Sequence, residues 1–363
     1  MIFGGNFRPW AAPRLSPLSQ PRNRIVTAPA NVGELEALLS EPSAAVTRAL
    51  ESCPGDIVIL GAGGKMGPTL ARMAVRASRP GSRRVIAVSR FSSTGAEASL
   101  NAAGVETVHC DLLDVEQVRA LPDAATVIFM AGQKFGSAES PAQTWAMNVE
   151  VPGFCAERYA GSRIVVFSTG NVYPLWPSAS RGPTESDATG PIGDYARSCL
   201  GRERVFEAAA ARGTPVAIVR LNYAIDLRYG VLTDIACKVL AGEPVSLAMG
   251  HVNIIWQGDA NRAALELLTK TSSPASVWNV TGRDVLSVRT LATELGLRLR
   301  RAPVFGGTEA PDALLSDASK MHTTLGPAEI PLATLLDWTA EWVAGGRPLL
   351  GKPTKFGVRD GKF

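Results

Sequence analysis

Short apolar runs alternate with segments of helical periodicity from about residue 55 onward. The runs IVIL (57–60), VIAV (85–88), TVIF (126–129) and IVVF (164–167) predict buried strands, and the segments between them predict helices. Strands that alternate with helices through right-handed crossovers form doubly wound parallel sheets. The pattern therefore predicts an α/β fold with a Rossmann-like sheet.

The first 54 residues differ from the rest of the chain. Five prolines and little periodicity over residues 1 to about 30 predict a surface arm or a disordered segment. The segments VGELEALL and AAVTRALESC, which follow, have apolar residues at helical spacing. We expect them to form two short helices before the first strand.

Composition bounds the class of protein. With 363 residues, 46% of them hydrophobic, the chain can bury the core of one large or two modest domains. No apolar run approaches the roughly 20 residues that cross a membrane, and a secretory signal pattern is not apparent, so we expect a cytoplasmic protein. Five scattered cysteines without a CxxC motif predict neither a disulfide framework nor a metal site. The net charge of +4, without a basic aromatic face, argues against nucleic-acid binding.

The first strand ends in a glycine-rich turn, DIVILGAGGKMG (56–67). Only glycine allows a tight turn, close approach to a pyrophosphate and close packing of the next helix. The helix then begins with its N–H groups and positive dipole end toward the phosphates. The spacing is GxxGxxG, because Met66 occupies the third glycine position of a GxGxxG motif. The residues predicted to bind a dinucleotide here are Gly61, Gly64, Lys65, Met66 and Gly67.

Three further strand ends carry candidate cofactor contacts. The second strand ends at Arg90 without an acid, which favours the 2′-phosphate of NADP slightly over NAD; an ordinary solvated arginine is the alternative. Asp111 and Leu112 follow the third strand, where Asp111 could accept from the adenine amino group or cap the next helix. Ala131 and Gly132 follow the fourth strand and are small enough to pass beside a cofactor.

The order and spacing of these pieces resemble the extended short-chain dehydrogenase/reductase family of NAD-dependent epimerases and dehydratases. The resemblance covers about residues 55–345 and implies a cofactor core to about 221, with a substrate lid built from insertions within 174–193, 223–255 and 287–318. Residues 346–363 are then a C-terminal tail. The matching pieces are GAGGKMG, Asp111-Leu112, MAG (130–132), Asn148-Val149, Ser168-Thr169 with Val172-Tyr173, Tyr195, RLNYA (220–224), HVNIIWQGDA (251–260), VWNVTG (277–282), SDASK (316–320) and Leu325-Gly326.

The resemblance implies hydride transfer at a carbonyl or hydroxyl carbon. Thr169 would hydrogen-bond the reacting oxygen, and Tyr195, beside the cofactor, would exchange its proton. The family's lysine, four residues after the tyrosine, is Cys199 here. A neutral thiol supplies none of the roughly 4 kcal/mol that ionising a tyrosine at pH 7 requires. Carbonyl reduction tolerates this loss better, because a neutral phenol already donates a proton.

Another cation could replace the lysine. Lys134, in AGQK after the fourth strand, and Arg202, on the Tyr195 helix, are the candidates, although Lys134 could equally be an exposed lysine. The acids that follow the threonine in sugar dehydratases are absent, since Gly170 and Asn171 stand there. A 4,6-dehydratase is therefore not expected.

The sequence predicts an NAD(P)-dependent oxidoreductase or epimerase that acts on a sugar, a nucleotide sugar or a polyhydroxy acid. The alternative is a catalytically impaired NAD(P)-binding sensor or scaffold. Stacking planes and amide groups in the lid suit a carbohydrate, or a packed core equally well. The candidate substrate residues are Asn171, Asn222, Tyr223 and Trp256. We expect no membrane partner, and the sequence allows a homodimer.

Overall fold

The computed structural model describes residues 27–92, 95–328, 330–352 and 354–362. Most of the expected N-terminal arm, residues 1–26, lies outside this range. The strands are β1 (Ile57–Leu60), β2 (Val85–Ser89), β3 (Glu106–His109), β4 (Thr126–Phe129), β5 (Arg163–Thr169), β6 (Trp176–Pro177), β7 (Val216–Leu221), β8 (Ala224–Ile225), β9 (Pro244–Ser246), β10 (His251–Val252), β11 (Ile255–Trp256), β12 (Ser276–Val280), β13 (Leu286–Ser287), β14 (Val304–Gly306) and β15 (Asp312–Ala313).

Seven of these strands form one parallel sheet in the order β12-β7-β5-β4-β1-β2-β3. The central strands β1 and β4 are buried along their whole length, as a sheet covered on both faces requires. The chain order reverses between β1 and β4, and ligands of doubly wound sheets bind outside the carboxyl ends of the strands at such a point. The predicted Rossmann-like fold is confirmed.

The helices follow the predicted periodicity. They are α1 (Val32–Leu39), α2 (Ala44–Ser52), α3 (Gly67–Ala77), α4 (Ala96–Ala102), α5 (Val115–Arg119), α6 (Pro141–Trp145), α7 (Val151–Arg158), α8 (Gly193–Ala211), α9 (Val231–Ala241), α10 (Gln257–Glu266), α11 (Val288–Leu299), α12 (Ser319–Leu325) and α13 (Leu332–Ala344). A π-helical segment, Ala146–Glu150, joins α6 to α7. Among the described helices, none is both long and apolar enough to span a membrane.

The two predicted helices before the first strand are confirmed as α1 and α2. The side chains of Asn31 and Ser43 cap them, accepting from the backbone N–H groups of Glu34 at 3.0 Å and Val46 at 3.1 Å. Both helices pack against α3 and α10. The N-terminal addition therefore supports the helix that follows the glycine turn.

A second apolar core lies beside the sheet and includes residues of α1, α9, α11 and α13. Trp256 belongs to this core: it is 1% exposed and packs edge-on against Trp338, with 6.1 Å between ring centres. The prediction that Trp256 contacts substrate is wrong, because its ring is used in packing. Phe356, in the C-terminal tail, is buried in the same core.

Candidate active site

A cleft of about 320 Å³ opens at the carboxyl ends of the central strands. Many of the predicted site residues line it. They are Gly61, Gly64, Lys65, Met66, Gly67, Gly132, Lys134, Thr169, Asn171, Tyr195, Asn222 and Tyr223. Five predicted residues lie outside this lining: Arg90, Asp111, Leu112, Ala131 and Cys199. The lining also includes residues that were not predicted from the sequence, among them Gln133, Tyr229 and Thr354.

The glycine turn is shaped by close packing against Ala131, which follows β4, and against its own backbone. Gly61 has φ +83°, and a Cβ there would lie 2.6 Å from the backbone nitrogen of Ala131. A Cβ on Gly67 would lie 2.3 Å from the carbonyl oxygen of Ala62. At Gly64 the nearest atom would be 3.4 Å away, so this glycine keeps a surface open instead. The next helix, α3, begins without a side-chain cap, which fits a pyrophosphate at its N-terminus.

Lys65 extends from the glycine turn toward the substrate side of the cleft. Its Nζ donates to the carbonyl oxygen of Ala224 at 2.9 Å and lies 4.3 Å from the centre of the Tyr229 ring. Burial lowers the pKa of Lys65 to about 8, against the opposing effect of the Asp226 carboxylate. Lys65 thus connects the expected cofactor loop to the segment that covers it.

The tips of β2 and β3 carry the residues predicted to bind the adenosine. The guanidinium of Arg90 lies 4.0 Å from the Asp111 carboxylate, and both side chains are exposed. The side chain of Asp114, and not that of Asp111, accepts from the first N–H groups of α5, so the capping alternative for Asp111 is wrong. Leu112 and Ala131 are buried at 6% and 5% exposure, with Ala131 under Gly61.

Thr169 and Tyr195 lie side by side. The hydroxyl oxygen of Thr169 accepts from the backbone N–H of Asn171 at 3.2 Å and from its side-chain amide at 3.0 Å. A hydroxyl has two acceptor sites and one proton, so Asn171 leaves the Thr169 proton to be donated elsewhere. Thr169 and Tyr195 share a side-chain hydrogen bond. Asn171 therefore orients Thr169 toward Tyr195.

Cys199 lies beneath Tyr195 and is fully buried. The two side chains are hydrogen-bonded, and burial raises the pKa of each, while the guanidinium of Arg202 lowers both by a smaller amount. The thiol stays neutral at neutral pH, and so does the phenol. Tyr195 is held as a proton donor.

Two cations lie near Tyr195 and Cys199. Arg202 is 5% exposed and donates to the Phe167 carbonyl oxygen at 2.8 Å and to the Asn148 side-chain oxygen at 2.6 Å. The Nζ of Lys134 lies 5.7 Å from the Tyr195 ring centre. Burial lowers the pKa of Lys134 to about 8, with an opposing effect from Cys199. Lys134 is therefore not the exposed lysine of the alternative interpretation.

Asn148 was not among the predicted site residues, although it joins the loop after β4 to α8. Its side chain accepts from the backbone N–H of Gln133 at 2.9 Å, and its amide donates to the Gln133 carbonyl oxygen at 3.0 Å and the Ser198 hydroxyl at 2.9 Å. The π-helical segment that carries Asn148 is a feature often found at functional sites. The Asn148-Val149 pair in the sequence was the signal for it.

No protein-family model matches the chain, and none of the curated proteins compared with it does. Solved structures do match. The UDP-glucuronic acid 4-epimerase of Bacillus cereus, with UDP-glucuronic acid and NAD, is 17% identical with a TM-score of 0.68 over 80% of this chain and 99% of that one. The UDP-glucose 4-epimerase of Thermotoga maritima, with UDP-glucose, is 20% identical with a TM-score of 0.67 over 80% and 99%. The Thermus thermophilus UDP-glucose 4-epimerase, with NAD, is 20% identical with a TM-score of 0.65 over 79% and 98%. At these identities, the likeness shows that the chain has the fold of these enzymes.

Proposed function

We propose that the protein is an NAD(P)-dependent oxidoreductase or epimerase that acts at a carbonyl or hydroxyl carbon of a sugar, a nucleotide sugar or a polyhydroxy acid. The observation that carries the proposal is the placement of Thr169 and Tyr195 in the same cleft as the Gly61–Gly67 turn. The sugar nucleotides and NAD bound by the structurally similar epimerases support the same class of reaction.

The chemistry follows from the protonation of Tyr195. A bound nicotinamide cofactor would supply or accept the hydride. Thr169 donates its hydrogen bond to the reacting oxygen, and Tyr195 gives a proton to that oxygen as it becomes a hydroxyl. Because burial raises the pKa of Tyr195, the phenol is already protonated at neutral pH. We propose that reduction is favoured over oxidation for this reason.

A 4,6-dehydratase remains outside the proposal. Such a reaction needs an acid and a base near the carbon next to the carbonyl. Among the described residues that line the cleft, none is an aspartate or a glutamate. The cleft can therefore position and protonate a carbonyl oxygen, but its described lining offers no carboxylate for elimination.

The experiment that tests the proposal follows nicotinamide absorbance in the purified protein with candidate sugars. A substrate-dependent change that is lost in Tyr195→Phe supports an oxidoreductase. An epimerase would instead retain its dinucleotide through purification and convert the sugar without a net absorbance change. Conversion that persists unchanged in Tyr195→Phe would contradict the assignment of Tyr195.

Lys134 is proposed as the cation that replaces the missing lysine. It lines the cleft beside Tyr195, and its pKa of about 8 leaves it mostly charged at pH 7. We expect Lys134→Ala to abolish turnover while the protein stays folded. Unchanged kinetics in that variant would show that Lys134 has no such role.

NADP is proposed slightly ahead of NAD. Arg90 is exposed beside the expected ribose position, and its contact with Asp111 is long at 4.0 Å, so the guanidinium can bind a 2′-phosphate. The structurally similar epimerases contain NAD, which is the other outcome. The ratio of the dissociation constants for the two dinucleotides, in the native chain and in Arg90→Ala, decides between them.

The second candidate is an NAD(P)-binding sensor or scaffold. The observation that favours it is the neutral, buried Cys199 in the position of the family's lysine. It predicts dinucleotide binding without turnover of any sugar in either direction.

The cytoplasmic location and homodimer considered from the sequence are kept as proposals, and light scattering on the purified protein tests the dimer.

A further inference from the structure

The C-terminal tail is built into the substrate side of the cleft. We call residues 354–362 the strap. At its start, Thr354 lines the cleft, and its backbone N–H and hydroxyl donate to the Asp234 carboxylate at 2.9 and 2.5 Å. Two residues further on, the carbonyl oxygen of Phe356 accepts from the Tyr223 hydroxyl at 3.3 Å. The strap is thus attached to α9 and to a residue that itself lines the cleft.

The far end of the strap is anchored as well. The guanidinium of Arg359 donates to the carbonyl oxygens of Ala248 at 3.0 Å and Asp312 at 2.9 Å, and it forms an ion pair with the Asp312 carboxylate. Gly361 has φ +73°, and a Cβ there would lie 2.3 Å from the carbonyl oxygen of Ile192. Only glycine can pass so close to the residue before α8, the helix that carries Tyr195.

Little space is left beneath the strap. A cavity of about 20 Å³ lies between Val358, Arg359 and Gly361 on one side and Asn171 and Tyr173 on the other. Such a volume holds about one water molecule. The main cleft, at about 320 Å³, is at the small end of ligand sites, which range from about 300 to 1,000 Å³, and a bound dinucleotide would share this space because the glycine turn lines the same cleft. A substrate beside Asn171 therefore meets the strap before it can extend outward.

The cleft is also positively charged. Among the described residues of its lining, Lys65, Lys134 and Arg202 are cationic and none is acidic. The strap adds Lys355, whose ammonium acts on Lys134 and contributes, after burial, to the lowered pKa of Lys134. An anionic group bound beside Lys134 in the cleft would offset this repulsion.

We propose that the strap is the outer wall of the substrate site and restricts it to a compact polyhydroxy molecule with one anionic group, a carboxylate or a phosphate. Sugars linked to a nucleotide are excluded by size. This inference rests on the proposed function and narrows its substrate class. Lys355 and Lys134 recognise the anionic group, and Gly361 and Arg359 set the limit on size.

Calorimetric titrations of the full chain test the proposal, with and without NADP. The probes are glucuronate, glucose 6-phosphate, glucose, UDP-glucose and UDP. We expect glucuronate or glucose 6-phosphate to bind more tightly than glucose, by about tenfold because a charge-assisted hydrogen bond is gained. We expect Lys355→Ala to lose this tenfold preference for the acidic sugars. Lys362→Ala, at an exposed lysine of the same strap, should keep it. We expect no saturable binding of UDP-glucose or UDP.

Matched glycine variants isolate the strap. Gly361→Val should force the strap away from Ile192 and admit UDP-glucose, whereas Gly357→Val, which has open space around it, should not. Arg359→Ala has the same expected result as Gly361→Val and serves if that variant does not fold.

Three results would overturn the proposal. They are saturable binding of UDP-glucose to the native chain, failure of both acidic sugars to bind, and failure of the folded Gly361→Val and Arg359→Ala variants to bind UDP-glucose. Failure of both NADP and NAD to bind would instead remove the proposed function, while the titrations without dinucleotide still measure size and charge selectivity.

Discussion

The two ends of the cleft are determined by different physical effects. At the glycine turn, backbone atoms approach so closely that Gly61 and Gly67 leave no space for a side chain. At the Tyr195 end, Thr169, Tyr195 and Cys199 fit together through hydrogen bonds, and burial keeps the phenol and the thiol protonated. The glycine turn is thus set by steric contact, whereas the Tyr195 end is set by burial and hydrogen bonding. A substitution should therefore disturb folding and binding at the first end, and reactivity at the second.

The largest effect is expected from Gly61→Ala. The new Cβ would meet the backbone of Ala131 at a position with φ +83°, so we expect loss of dinucleotide binding and about 2–4 kcal/mol less stability from combined overpacking and strain. Gly81→Ala is the matched control, because its φ is +72° but nothing lies within 4 Å of the added Cβ. It should cost about 1–2 kcal/mol and leave binding intact. Denaturant unfolding and calorimetry measure both; equal losses in the two variants would show that contact with Ala131 does not matter.

Thr169→Val should lower kcat by about 10²-fold with little change in stability, because it removes one hydrogen bond to the reacting oxygen. The control is Thr126→Val. Thr126 is also buried on a neighbouring strand, and its hydroxyl has no hydrogen-bond partner among the described residues. Steady-state kinetics and thermal unfolding of both variants give the comparison. Similar activity in the two would remove Thr169 from the chemistry.

Cys199→Lys should place a positive charge beside Tyr195 and change the direction of the reaction. The ammonium would lower the pKa of Tyr195, and each unit by which it falls raises the ionised fraction at a given pH about tenfold. We expect the pH profile of alcohol oxidation to move to lower pH, while reduction changes less. Cys199→Met controls for side-chain size without charge. If both variants give the same profile, the thiol is not what limits oxidation.

The smallest effect is expected on the stability of Lys134→Met. The pKa of Lys134 is lowered in the folded state to about 8 from an ordinary value of 10.5, so the folded protein carries a cost for the charge that is fully present below pH 8. As pH rises from 8 toward 10.5, the unfolded state loses its extra proton and the cost disappears. Lys134→Met should therefore be more stable than the native chain at pH 7, by an amount that fades over this range. Lys362→Met, at an exposed lysine, should show no such dependence in denaturant unfolding.

The sequence predicted the fold and the glycine turn that lines the cleft because their signals are local. Buried parallel strands appear as apolar runs, and Gly61 and Gly67 lie in one short turn. Fixed spacing from Tyr195 also identified Cys199. The adenosine end was harder, since Asp111 and Asp114 both follow β3 and only the backbone geometry shows that Asp114 is the cap.

The substrate end depends on contacts between distant parts of the chain. Thr354 reaches Asp234 across 120 positions, and Arg359 reaches Asp312 across 47. No spacing rule reveals such pairs, so the tail was assigned no role from sequence. Trp256 was misplaced for a related reason, because an aromatic residue that stacks on a sugar has the same pattern as one that packs in a core.

The central claim is that the glycine turn binds a nicotinamide dinucleotide and places its ring beside Thr169 and Tyr195. A crystal structure of the protein with NADP or NAD tests it most directly. We expect the pyrophosphate at the N-terminus of α3, and the nicotinamide positioned so that a substrate carbon fits within about 3.5 Å of its reactive carbon and near the Tyr195 hydroxyl. A dinucleotide bound elsewhere, or a nicotinamide ring directed away from Tyr195, would contradict the account.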